Sequence, residues 1–89
     1  MNEIIRVNGA REEFLPADGR HYTLEEMYKA TGCDMVQIVA TKDGRLMVLD
    51  EEGKLKGRPV NQVATGLYLY GNQDPIVGDV LVCEERNIE

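Results

Sequence analysis

Tryptophan is absent from this 89-residue chain, and phenylalanine and histidine occur once each. Cysteine is nearly absent too, with two residues, and proline has three. Each shortage removes a class of function. One His21 with Cys33 and Cys83 cannot complete a zinc set at any usual ligand spacing, and there is no CxxC pair. A Cys33–Cys83 disulfide is arithmetically open. The preferred expectation is two reduced, mostly buried thiols in a cytoplasmic protein, Cys83 within the apolar run Val80-Leu81-Val82-Cys83. Basic residues are scarce: ten Lys+Arg against sixteen Asp+Glu leave a net charge of −6 and a pI near 4.7. Such a charge repels phosphate backbones, so direct nucleic-acid binding is not expected. No apolar run approaches the roughly 18 residues that span a bilayer, and no signal-peptide pattern is present, so no membrane partner is expected either. What remains, 43% apolar and 29% charged residues, fits one small folded domain rather than a disordered chain.

Glycine is better supplied. The nine glycines fall singly, mostly at turns, and form neither a GxGxxG nor a P-loop. Glu3-Ile4-Ile5-Arg6-Val7 is a β-type run, and Asn8-Gly9 after it predicts a two-residue hairpin turn with both residues at positive φ. The return segment, Ala10 to Leu15, is polar enough to suggest an edge strand. Thr23 and Glu26 make a capping box, Leu24, Met27, Tyr28 and Thr31 follow helical spacing, and Gly32 closes a predicted helix over 24–31. Met35 to Thr41 is apolar on nearly both faces and reads as a central strand. Asp43-Gly44 then predicts a second hairpin into Leu46–Leu49. Asn61 as a cap, with Val60, Val63, Ala64 and Leu67 at helical spacing, predicts one or two helical turns over about 61–66, against a cost of about 1 kcal/mol for Gly66. Ile76 to Glu84 is the last strand, bent at Gly78-Asp79, and the polar tail 85–89 is expected to fray. The expectation is a single α+β domain over 1–89. It has a mostly antiparallel sheet of about five strands in the order β-β-α-β-β-(α)-β, with one main helix packed on one face. That order invites comparison with a β-grasp sheet.

Chemistry is harder to find. The acid pairs Glu12/Glu13, Glu25/Glu26 and Glu51/Glu52 point in different directions on a strand or helix, and His21 has no nucleophile or acid placed beside it. No catalytic, cofactor-binding or metal-ligating residue is therefore assigned. One charge asymmetry stands out. Lys42, Arg45, Lys54, Lys56 and Arg58 hold half of the basic charge within 42–58, where the net is +1, so the rest of the chain carries −7. This is either a basic edge for an acidic partner or a nucleotide phosphate, or a set of lysines guarding an exposed β edge; the guarding role is preferred. With Tyr68 and Tyr70 these five residues make up the candidate interaction surface.

The run from Glu51 to Tyr68, EEGKLKGRPVNQVATGLY, resembles the "EEGKL.G.P.N..AT.L" stretch of domain of unknown function family 3846. Ile76-Val77-Gly78-Asp79-Val80-Leu81-Val82 resembles the "IVGDVLV" strand that closes that family's domain. The similarity covers roughly 23–84. It implies a small soluble domain of bacteria, phages and mobile elements, and it transfers no activity. The expectation is thus a non-enzymatic accessory or protein-interaction module of bacterial or phage-related origin, with no cofactor and with another protein as partner. Two alternatives stand beside it. One is an acidic antagonist of host defence that mimics DNA charge. The other is a nucleotide-like small-ligand binder using Tyr68, Tyr70 and the loop 71–75.

Overall fold

The computed structural model describes residues 2–88. The elements are β1 (Glu3–Ile5), β2 (Arg11–Glu13), α1 (Leu24–Thr31), β3 (Val36–Ala40), β4 (Leu46–Asp50), α2 (Gln62–Leu67) and β5 (Val80–Cys83), with a final 3-10 turn at Glu85–Asn87. The strands form one antiparallel sheet in the order β2-β1-β5-β4-β3. Element order and sheet class are as the sequence predicts. The β-grasp likeness stops at the element order, because the neighbouring strands β1 and β5 run antiparallel where a β-grasp sheet sets them parallel.

Strand alternation splits neighbouring residues between two cores. Ile4, Val48, Leu81 and Cys83 face α1 and pack with Tyr22, Met27 and Ala30. Ile5, Met47, Leu49, Val80 and Val82 face the other way and pack with Ala64 of α2 and with Ile76. A strand covered on both faces reads as a continuous apolar run, which explains why β4 and β5 lack alternation. The same signature misplaces β3. Met35 to Thr41 reads as a central strand, yet β3 is the outermost strand, with Gln37, Ile38 and Ala40 exposed. The reason is non-local: β5 inserts between β1 and β4 and takes the position that local pattern assigns to β3.

Helix α1 begins with the predicted capping box, in which Thr23 and Glu26 bond each other's backbone N–H, and it closes on Gly32 at φ 69°. Its buried face differs from the predicted one. Met27, Ala30 and Thr31 are buried and Leu24 is exposed, so the small Ala30 meets the sheet. Thr31 satisfies its own hydroxyl by donating to the Met27 carbonyl at 2.8 Å.

Both hairpins differ from prediction in the same way. Each closes a three-residue loop, with Arg6 bonded to Ala10 and Thr41 to Arg45, and only the glycine takes positive φ (Gly9 91°, Gly44 86°). This is a type I turn ending in a left-handed glycine, so the preceding Asn8 and Asp43 keep negative φ. The tail expected to fray takes one 3-10 turn, and Asn87 bonds Asn2 at 2.9 Å, the Arg20 carbonyl at 2.7 Å and the Tyr22 N–H at 3.0 Å. Among the described residues no helix is long and apolar enough to cross a membrane.

Candidate interaction edge

The two free edges of the sheet differ in chemistry. β2 carries only charged residues, Arg11, Glu12 and Glu13, all exposed. Charge on an edge strand discourages pairing with another chain. β3 reads Val-Gln-Ile-Val-Ala and has no charge at all. Ladder geometry fixes which of its backbone groups are open. Met35 accepts from the Glu51 N–H at 3.0 Å and Thr41 donates to the Arg45 carbonyl at 3.0 Å, so residues 35, 37, 39 and 41 turn their amides toward β4. Those of Val36, Ile38 and Ala40 turn outward. The chain leaving α2 covers the far end: Leu69 donates to the Ala40 carbonyl at 3.2 Å, Lys42 to the Leu67 carbonyl at 2.8 Å, and Thr41 bridges Tyr68. Among the described residues no hydrogen bond reaches the outward amide groups of Val36 and Ile38.

Exposed apolar side chains gather along this edge. Met35 and Ile38 belong to it, and Leu69 and Tyr70 follow the segment that covers its end. Tyr70 lies edge-on to Tyr68, with ring centroids 5.9 Å apart. On the α2 side, Gln37 and Val39 line a cavity of about 120 Å³ together with Leu49, Tyr68, Ile76 and Leu55, which is 88% exposed.

The seven candidate surface residues do not form one surface. Lys54 and Tyr68 line the cavity, Tyr70 lies beside it, and Lys42 is exposed just past the end of β3. Lys54 pairs with Asp74. Lys56 and Arg58 converge on the buried Asp50, and Lys56 also lines an open groove beside the end of α1. Arg45 lies among Glu3 and Asp43. Four of the five basic residues thus neutralise acids within the fold. The guarding role expected of these lysines is not met on β3, whose own residues are uncharged. Sequence alone does not mark Val36, Gln37 and Ile38 as a surface, because an uncharged apolar run is the signature of a central strand and of an unguarded edge alike. The absence of charge between Asp34 and Lys42 was the available signal.

The remaining polar clusters are structural. Arg11 donates to both carboxylate oxygens of Glu3 at 2.7 Å, and Arg45 donates a further bond at 2.9 Å. The Arg11 bonds, with help from Arg45 and against the opposing effect of burial, hold the Glu3 carboxyl at about 2. Arg45, seconded by Thr41, does the same for Asp43. A carboxyl lowered on folding stabilises above its unfolded pKa and loses that contribution as pH falls toward the folded value. Urea unfolding between pH 7 and 2 should therefore show stability declining from about pH 4.5 down to about 2. Glu3→Gln should flatten that slope; a slope equal to wild type would contradict the assignment. Elsewhere, burial pushes the Cys83 thiol up to about 11, which keeps it protonated and inert at neutral pH. Both cysteines are free, and among the described residues no three His, Cys, Asp or Glu side chains could hold a metal ion.

A family model described as Domain of unknown function (DUF3846) matches residues 3–89. The chain belongs to that family. The match takes in the N-terminal hairpin as well as the two motifs that carry the resemblance, so β3 and its open edge lie within the family domain. Neither a curated protein nor a solved structure matches the chain.

Proposed function

We propose that this member of the family is a small non-enzymatic protein-interaction module, of bacterial or phage-related origin, that takes an extended segment of a partner as an added strand along β3. The observation that carries this reading is the contrast of edges: β2 is fully charged, whereas β3 is uncharged and its Val36 and Ile38 amide groups have no partner among the described residues. Strand addition of this kind draws affinity from main-chain hydrogen bonds and specificity from pockets for alternate side chains. The cavity on the α2 side of Gln37 and Val39 is placed to receive one such side chain.

The alternatives find less support. The cavity at Tyr68 and the loop 71–75, where a nucleotide-like binder would hold its ligand, is about 120 Å³, well below the roughly 300–1,000 Å³ common for small-ligand sites. A mimic of DNA charge needs a continuous acidic stripe, and here Glu3, Glu12, Asp43, Asp50, Asp74 and Asp79 each meet a basic side chain of the same chain.

The test compares capture of a partner from extracts of the native host by wild type, Ile38→Lys and Glu12→Gln. Ile38→Lys places a charge on the open edge without touching the core, and it should abolish capture of any partner that Glu12→Gln retains. Equal capture by all three proteins would refute the β3 edge as the docking surface.

A further inference from the structure

We propose that, when no partner strand is present, the β3 edge pairs with the β3 edge of a second copy of this chain. This inference rests on the reading of β3 as a docking edge and names one occupant for it. One antiparallel register uses the open outward groups of Val36 and Ile38 and no others. From Ala40 onward the edge is covered by the segment 67–69, so the open outward groups belong to Val36 and Ile38. An antiparallel twofold centred on Gln37 sets Val36 of each copy against Ile38 of the other. It uses both residues' N–H and C=O groups, four hydrogen bonds in all, and displaces no existing bond. Centring on Ile38 instead would call on the Ala40 carbonyl, which already accepts from Leu69.

Side chains agree with that register. On the α1 side it makes two β-branched cross-strand pairs, Val36 with Ile38, which are favourable neighbours on a sheet. On the α2 side the two Gln37 amides meet at the axis. Charge also selects antiparallel over parallel. Asp34 is exposed just before β3 and Lys42 just after it, so an antiparallel pair brings the acidic end of each strand toward the basic end of the other. A parallel pair would bring like ends together. The covering segments 67–69 of the two copies lie at opposite ends of the paired stretch and leave its centre open. Pairing of this sort joins two five-stranded sheets into one of ten strands and closes both open edges. A partner strand must then compete with the second copy for the same amide groups.

Sedimentation velocity and cross-linking test this. Wild type should move from monomer to dimer as its concentration rises, and Ile38→Lys should stay monomeric with an unchanged circular dichroism spectrum. In a Cys33→Ser background, Gln37→Cys places the new thiols at a non-hydrogen-bonded pair on the twofold, with Cα atoms about 4.5 Å apart, within disulfide reach. It should therefore oxidise to a covalent dimer, faster than Asn72→Cys in the same background. A wild-type protein that stays monomeric throughout, or cross-linking at Gln37→Cys no faster than at Asn72→Cys, overturns self-pairing. In that event loss of capture by Ile38→Lys would still uphold the docking edge with a different occupant.

Discussion

Replacing Asn61 by alanine is expected to cost about 3–5 kcal/mol of unfolding free energy, the largest effect of any single polar substitution in this chain. Asn61 is fully buried. Its side-chain oxygen caps α2 by accepting from the Ala64 N–H at 3.0 Å. Its amide nitrogen donates to the Ile5 carbonyl at 3.0 Å and to the Gly78 carbonyl at 2.9 Å. One side chain thus ties the start of α2 to β1 and to the bend before β5, where Gly78 sits at φ 80°. Alanine would leave the buried Ala64 N–H and Gly78 carbonyl without partners, each costing about 1–3 kcal/mol, and would take from the Ile5 carbonyl one of its two bonds, the other being the ladder bond to Val80. In a domain of this size each kcal/mol moves Tm by about 4–8 °C, so thermal unfolding should shift by about 12 °C or more. Asn61→Asp separates the bonds. It keeps the capping acceptor but turns a carboxylate toward the Ile5 and Gly78 carbonyls, so at neutral pH it should be no more stable than alanine. A loss below about 1 kcal/mol in Asn61→Ala would contradict this account of the residue.

The second large effect is expected at Asp50, whose side chain is only 1% exposed. It accepts from Lys56 Nζ at 3.0 Å, from Arg58 Nε at 2.7 Å and from the Glu52 N–H at 2.9 Å. Arg58, held by this pair, donates onward to the Gly32 carbonyl at the end of α1 at 2.7 Å. Asp50 therefore anchors the turn 51–58 and, through Arg58, links that turn to the end of α1. Removing one member of a buried ion pair costs about 3–5 kcal/mol. Asp50→Ala should fall near the lower end, about 3 kcal/mol, because Lys56 and Arg58 both retain access to water. Asp50→Asn, which keeps an acceptor for the backbone, should lose less. Burial pushes the Asp50 carboxyl up, but the Glu52 N–H, Lys56 and Arg58 outweigh it and the net shift is downward. Its stabilisation is accordingly full at neutral pH and fades in acid, and the deficit of Asp50→Ala relative to wild type should shrink there. Urea titrations of the three proteins at neutral and acid pH check both statements. A deficit that grows on acidification would contradict the pairing.

How far the chain could be read in advance depended on whether a feature was local. The capping box Thr23/Glu26, the closing Gly32 and the Asn61 cap are fixed by residues three or four apart, and all three are found. The same Asn61 shows where local reading ends. Its bonds to Ile5 and Gly78 join positions far apart in the chain, and no periodicity marks them. Strand position was illegible for the same reason. β3 and β4 are both apolar runs of similar composition, and only the arrival of β5 beside β4 decides that β3 lies outside. The basic stretch 42–58 is visible as a charge imbalance, but only Asp43 and Asp50 among its partner acids lie within it: Glu3 and Asp74 meet Arg45 and Lys54 only in the folded chain. The candidate surface assembled from those residues consequently splits into separate clusters, and the uncharged edge beside it is the surface proposed above.

Amide hydrogen exchange along β3 tests the central claim most directly. Gln37 and Val39 turn their N–H groups toward β4 and should be protected at every protein concentration. Val36 and Ile38 turn theirs outward. In dilute protein they should exchange rapidly, and their exchange should slow as concentration rises or when a captured partner is bound. Rapid exchange at Val36 and Ile38 under all of these conditions would contradict the assignment of β3 as the edge on which this domain receives another strand.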